Sequence, residues 1–254
     1  MINVCLILFA YRVHPTYKLI VAANRDEFYK RPTAPVHYWE DHPQILAGRD
    51  LEKMGTWMGV TKNGRFAALT NYRNPKEIID GKRTRGELVA DFLKNSHNPL
   101  DYMRKLEMNR TLYPGYNLLA GDTKELYYYS NIENKLRRLK PGIYGVSNHV
   151  LDTAWPKVKR GKEDLSKIII EQKDLLVDGL FTVLQNADPF PDDILPNTGV
   201  SLEWERILSP LFIQSDGYGT RSSTVLLITD EEVFFQERVY SNESMKDQQY
   251  TIKL

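Results

Sequence analysis

"VCLILFAYRVHPTYKLIVAANRDE", residues 4–27, decides how the chain is read. Two short runs rich in Val, Ile, Leu, Phe and Tyr, 4–11 and 18–25, flank a six-residue link punctuated by Pro15. That pattern predicts an antiparallel hairpin at the centre of a sheet. The second run then delivers Asn24, Arg25, Asp26 and Glu27 in succession, with no glycine or proline among them. Four polar groups at the end of a buried strand each need a partner, and a site beside the strand would supply it.

Working outward, residues 30–50 hold three prolines and much polar punctuation, and read as a loop over the surface bordering that site. Residues 56–72 give two strands joined at Asn63-Gly64, a dipeptide that accepts the positive φ of a tight turn. Residues 85–95 and 99–109 place Leu88, Val89, Phe92 and Leu93, then Leu100, Met103 and Leu106, at helical spacing, so two helices cover one sheet face. Strand chemistry returns at 116–122, 125–131 and 139–148, followed by helical patterning from Trp155 to about Asn186. A Pro-rich connection, a short helix within 202–212 and a last hairpin over 221–241 complete the chain.

The order is therefore strands, helices, strands, helices, strands, with hairpins throughout and no regular β-α-β alternation. It predicts an α+β fold, two stacked and mainly antiparallel sheets flanked by helices in a four-layer αββα sandwich, and argues against a doubly wound or barrel fold. With 254 residues, 42% hydrophobic, and no Ser/Gly-rich linker, residues 1–254 read as a single domain.

The formal net charge is +1, from 34 basic and 33 acidic residues, which leaves no electrostatic footprint for nucleic acid. Arg137-Arg138 and Lys157, Lys159 and Arg160 read as solvated faces. The apolar N-terminal run is too short to span a membrane and lacks the basic flank and cleavage site of a signal peptide. One cysteine forms no internal disulfide, and the five scattered histidines show no metal-ligand spacing, so no metal and no cofactor is expected and a reducing cytoplasm fits.

A lone cysteine inside an apolar strand reads as a small core residue unless it has polar company. Cys5 has candidates for that company at the ends of strand runs: Arg25 and Asp26, Asn71, Asn148 and Arg221. Taken singly, each is an ordinary cap or turn residue. Gathered by one sheet end, they would assemble a thiol, two guanidiniums, a carboxylate and two amides. Asn24, Glu27 and His149 are candidate binding residues beside them.

"ANRDE" at 23–27, "GTWMGVTKNGRFAALTNYR" at 55–73, "YNLLAGD" at 116–122, "YGVSNHVLDTAWPKV" at 144–158 and "GTRSSTVLLI" at 219–228 resemble the NRDE family, relatives of the transport-and-Golgi-organization proteins. A remoter similarity is to choloylglycine hydrolases and related cysteine amidases of the N-terminal-nucleophile class. That resemblance implies an N-terminal-nucleophile-hydrolase-like fold, with Cys5 as nucleophile, Arg25 and Asp26 as the early pair, Asn71 and Asn148 as the two amides and Arg221 as the late arginine. In those amidases Arg and Asp stand three residues apart and here they are adjacent, so either Asp26 or Glu27 fills the acidic role. The implied activity is hydrolysis of a linear amide. A thiol of ordinary pKa about 8.5 can pass its proton to its own α-amine of about 7.7–8.0 at little cost. A free amine on Cys5 requires removal of Met1 through Val4; an amine on Met1 would lie roughly 13 Å up the strand, too far to act as the base.

The alternative is a carrier of a small molecule, haem or lipid, that keeps the fold and polar site without the chemistry. His37, His42 and His149 are its haem-ligand candidates, and their loop contexts read as solvated. The partner in either reading is a small molecule; the sequence leaves its identity and the oligomeric state open.

Overall fold

The first hairpin sets the frame. β1 (Cys5–Tyr11) and β2 (Leu19–Phe28) pair antiparallel, with Cys5 opposite Arg25 and Tyr11 opposite Leu19. The computed structural model describes residues 5–171, 176–241 and 245–254, so position 4 of the predicted first strand lies outside the described residues. β2 does not stop at Arg25: it runs on to Phe28, and the NRDE residues lie inside it rather than at its end.

β3 (Thr33–Tyr38), β4 (Ile45–Asp50), β5 (Met58–Thr61) and β6 (Phe66–Asn71) follow. Next come α1 (Gly86–Lys94), α2 (Pro99–Met108), β7 (Tyr116–Gly121), β8 (Leu126–Ser130), β9 (Lys135–Arg138) and β10 (Gly142–Val146). The last third holds α3 (Pro156–Glu171), α4 (Leu176–Leu184), α5 (Leu202–Ile207), the two-residue β11 (Gln214–Ser215), β12 (Tyr218–Ile228), β13 (Glu232–Tyr240) and β14 (Met245–Lys253).

The strands form two sheets, both antiparallel throughout. The first runs β10-β1-β2-β12-β13-β14, with β11 paired to β12, and the second runs β3 to β9 in sequence order. Period-two alternation sends one side of each strand into the space between the sheets. Ile7, Phe9 and Val21 of the first sheet meet Val36, Leu46 and Met58 of the second there. The opposite sides are roofed by helices. Leu88, Phe92 and Met103 of α1 and α2 cover Ala67 and Leu118, and Val158, Leu165 and Leu180 of α3 and α4 cover Leu6, Leu8 and Ile20. The layers are therefore helix, sheet, sheet, helix, the expected αββα sandwich.

The β5–β6 hairpin turns as expected at Asn63-Gly64, with Gly64 at φ 76° and its N–H donating to the Thr61 carbonyl at 3.0 Å. Residues 30–50, expected as a surface loop, instead carry β3 and β4. β3 is an edge strand whose register slips between Ala34 and His37, around Pro35, and an edge tolerates the missing donor. β9 and β14, for which the sequence offered no expectation, are also edge strands.

Candidate functional site

At one end of the sandwich the two sheets part around a cavity of about 500 Å³. The end of β1, the NRDE stretch of β2, and β12 and β13 supply one wall; β4, the residues after β6 and the approach to α1 supply the other. Cys5, Arg25, Asp26, Glu27, Asn71 and Arg221 all line it, and Asn24, Asn148 and His149 do not.

Alternation along β2 splits the NRDE residues into two pairs. Asn24 faces the helix layer, fully buried, donating through Nδ2 to the carbonyls of Leu184 and Leu211, both at 2.8 Å, and accepting from Ser223 Oγ at 2.6 Å. It ties strand to roof. Arg25 and Glu27 face the cavity and lie 3.6 Å apart, and Glu27 also meets Arg31 at 3.7 Å. Asp26 is 1% exposed; its Oδ1 accepts from Thr220 Oγ1 at 2.6 Å, while its Oδ2 is buried with no hydrogen-bond partner among the described residues.

Cys5 is 8% exposed. Burial, and then the Asp26 carboxylate, push its thiol up to about 12, against weaker pulls from the Asp26 backbone hydrogen bond and the Arg25 guanidinium. Asp26 itself is raised by burial, opposed first by Lys157.

Lys157 is the residue that the sequence reading placed in solvent and that the structure buries, at 2% exposure. It lies on the first turn of α3, four residues before Gly161, and the two share a helix face. A Cβ at Gly161 would come within 2.5 Å of Leu8 Cδ1, so the missing side chain lets α3 settle on β1 and carries Lys157 inward. Its Nζ donates to the Leu208 carbonyl at 2.9 Å. Burial lowers its pKa, and Asp26 is the largest influence holding it charged. Arg73, 5% exposed in its side chain, pairs with Glu205 at 3.0 Å and lies over the Trp155 ring. Lys157, Arg73 and Glu205 thus form a buried charged group around Asp26 that sequence reasoning missed. The available signal was the glycine one turn after Lys157 in an otherwise amphipathic helix.

Asn71 and Asn148 are neighbours with different surroundings. Asn148 is fully buried: its Nδ2 donates to the Asn71 carbonyl at 2.9 Å, its Oδ1 accepts from Ser147 Oγ, and its carbonyl accepts from the Arg73 N–H at 2.7 Å. Ser147 Oγ also donates to the Cys5 carbonyl at 2.9 Å. Asn148 therefore stitches the end of β6 to the strand that carries Cys5. The Asn71 side chain lines the cavity, and no hydrogen bond to it forms among the described residues.

Arg221 occupies the bulge between Thr220 and Ser222, where β12 slips against β2. The extra residue turns its guanidinium onto the carbonyls of Phe28, Tyr29 and Arg31 at 3.0–3.1 Å, bracing the chain where it leaves β2. His149 is half-buried rather than solvated, between the rings of Tyr72 and Trp155 with Nδ1 2.8 Å from Thr153 Oγ1. His37 rests on β3 with Nδ1 2.7 Å from the Pro35 carbonyl, and His42 lies in the β3–β4 connection. Among the described residues no group of three or more His, Cys, Asp or Glu is placed to hold a metal, and no helix is long and apolar enough to cross a membrane.

Among solved structures the chain is similar to a Caenorhabditis elegans N-acylethanolamine-hydrolyzing acid amidase ortholog, at 12% identity and a TM-score of 0.48 over 88% of this chain and 92% of that one. Among curated proteins, the Transport and Golgi organization protein 2 homolog of Homo sapiens is 36% identical over 256 residues, spanning 92% of each chain. The Drosophila melanogaster Transport and Golgi organization protein 2 is 29% identical, over 89% of this chain and 88% of that one. The family described as Transport and Golgi organisation 2 matches residues 4–242, nearly the whole of both sheets and all five helices, and the chain belongs to that family.

Proposed function

We propose that the protein is a cysteine amidohydrolase of the N-terminal-nucleophile type, acting on a linear small-molecule amide in the cytoplasm. The observation that carries this reading is the placement of Cys5 against Arg25 on the cavity wall, beside an Asp26 Oδ2 that is buried without a partner among the described residues. Such an oxygen is a ready seat for an α-ammonium on Cys5.

In the cleaved form the α-amine takes the thiol proton, and the sulfur attacks the amide carbon. The carbonyl oxygen becomes an oxyanion, for which the unoccupied Asn71 amide and the Arg25 guanidinium are the nearest candidate donors. The C–N bond then breaks, the leaving amine takes the proton from the ammonium, and water hydrolyses the thioester to return the thiol. Asp26 holds the amine, and Lys157 keeps Asp26 ionised in a buried place. Asn148, with its amide engaged on the Asn71 carbonyl, positions Asn71.

The test is intact mass together with amine release. Protein beginning at Cys5 is expected to release amine from a panel of N-acyl amines, and Cys5→Ala to abolish that release. Release undiminished in Cys5→Ala would end the reading.

One observation favours a second reading, a small-molecule carrier: the thiol pushed up to about 12 is no nucleophile at neutral pH while a peptide nitrogen replaces its amine. In that case a chain beginning at Met1 binds its ligand equally well with Cys5 and with Cys5→Ala.

A further inference from the structure

The cavity beside Cys5 is charged out of proportion to the chain. Its walls carry nine Lys or Arg side chains against six Asp or Glu, in a protein whose formal net charge is only +1. Several of those cations are matched: Arg31 by Asp50 at 2.6 Å, Arg49 by Asp41 at 2.6 Å, Arg73 by Glu205 at 3.0 Å and Lys82 by Glu77 at 2.8 Å.

Arg85 is different. Among the described residues its side chain makes no hydrogen bond and no ion pair, and its Nε is buried without a partner, while its carbonyl accepts from the Leu88 N–H at 3.0 Å. The Oγ1 of the adjoining Thr84 is in the same state. Both residues line the cavity. Glu77, the carboxylate that acts most on Arg85, is already taken by Lys82 and by the Gly115 N–H at 2.9 Å. Among the described residues Arg221 likewise has no carboxylate partner, its hydrogen bonds going to carbonyls and to Thr33. A guanidinium drawn out of water with its donors unfilled is costly, and an oxyanion from outside the chain supplies what is missing. Trp57, Leu69, Ile79 and Pro114 give the same cavity an apolar lining for the rest of a ligand.

We infer that the site takes an acyl amide bearing an oxyanion, a carboxylate or a phosphate, whose charged group is received by Arg85 and Thr84. This rests on the amidase reading for the amide and on the cationic wall alone for the anion.

Three probes separate the two: N-octanoylglycine, its neutral methyl ester, and N-octanoylethanolamine phosphate. Binding is titrated calorimetrically to the full chain carrying Cys5→Ala, with and without Arg85→Gln or Arg85→Lys, each first checked for an unchanged melting temperature. At least one of the two anions is expected to bind about tenfold or more tightly than the ester. The preference falls to within about twofold in Arg85→Gln and survives in part in Arg85→Lys. The tighter of the two anions identifies the oxyanion. Equal affinity for the ester, failure of all three to bind, or a preference untouched by Arg85→Gln overturns the inference. Amine release by the wild-type chain is followed in parallel. Anion preference without release removes the amidase reading and leaves the anion site, whereas release from ester and acid with equal kcat/KM does the reverse.

Discussion

Asn148 reaches across from the first sheet to the second and donates its Nδ2 hydrogen to the Asn71 carbonyl at 2.9 Å. The amide so engaged holds a backbone in place, while the neighbouring Asn71 amide is left facing the cavity. The two asparagines should therefore fail differently. Asn148→Ala leaves the half-buried Asn71 carbonyl without its donor and is expected to cost roughly 1–3 kcal/mol in urea denaturation. Asn71→Ala should change stability by less than about 0.5 kcal/mol and weaken ligand binding or amine release instead. Equal losses of stability in the two variants would remove the distinction.

Asp26 and Lys157 are buried groups of opposite charge, each 1–2% exposed, that act on one another electrostatically without a direct ion pair among the described residues. Lys157→Met removes the largest influence that lowers the Asp26 pKa and leaves the Leu208 carbonyl without its donor, so it should destabilise by about 1–3 kcal/mol. Asp26→Asn in the same background relieves the stranded carboxylate, and the double variant should be more stable than the sum of the single losses by about 1–3 kcal/mol. Strictly additive losses would show that the two charges are not coupled.

The central architecture was legible because buried strands and amphipathic helices write their periods into the sequence. The first hairpin from Cys5 onward, the Asn63-Gly64 turn and the helices over 85–109 appear where the apolar spacing puts them. β3, β9 and β14 stayed hidden for a shared reason. Each is an edge strand with a face on solvent, so β14 reads "MKDQQYTIK" and buries only Ile252. Pro35 in β3 added a signal for a loop that an edge tolerates. At the site, Cys5, Arg25 and Asp26 were legible from their place in the first hairpin. Lys157 was not, because its burial is fixed by the close approach of α3 to Leu8, a tertiary fact. Asn24 reads as one of four like residues, and only the two-fold alternation of β2 turns it away from the cavity.

Glu237 of β13 joins the two sheets, its Oε2 accepting from the Val36 N–H at 2.6 Å. Burial raises its pKa above the ordinary 4.5, outweighing the hydrogen bonds that favour the carboxylate. A carboxyl raised on folding contributes stability that is fully present below its unfolded pKa and is lost as pH climbs through the folded value. Wild-type protein should therefore lose stability relative to Glu237→Gln as the pH rises above about 4.5, as followed by chemical denaturation. Parallel profiles would mean that the carboxylate is no worse in place than a neutral amide.

The reactivity of Cys5 follows from the same balance. Burial and the Asp26 carboxylate hold the thiol at about 12, so in a chain that begins at Met1 the thiolate is scarce at neutral pH. Alkylation by iodoacetamide, read by intact mass, should be slow at pH 7 and should climb about tenfold per pH unit through pH 9, because only the thiolate reacts. Asp26→Asn removes the second-largest cause of the shift and should speed labelling at a fixed pH of 8, whereas Arg25→Gln removes a stabilising charge and should slow it. A chain beginning at Cys5 replaces the peptide nitrogen with an amine that can accept the thiol proton, and its labelling should be fast at pH 7 and nearly flat above pH 8. Fast, flat labelling of the chain that still carries Met1 would show that the thiol is activated by the fold alone, and that Asp26 does not oppose its ionisation.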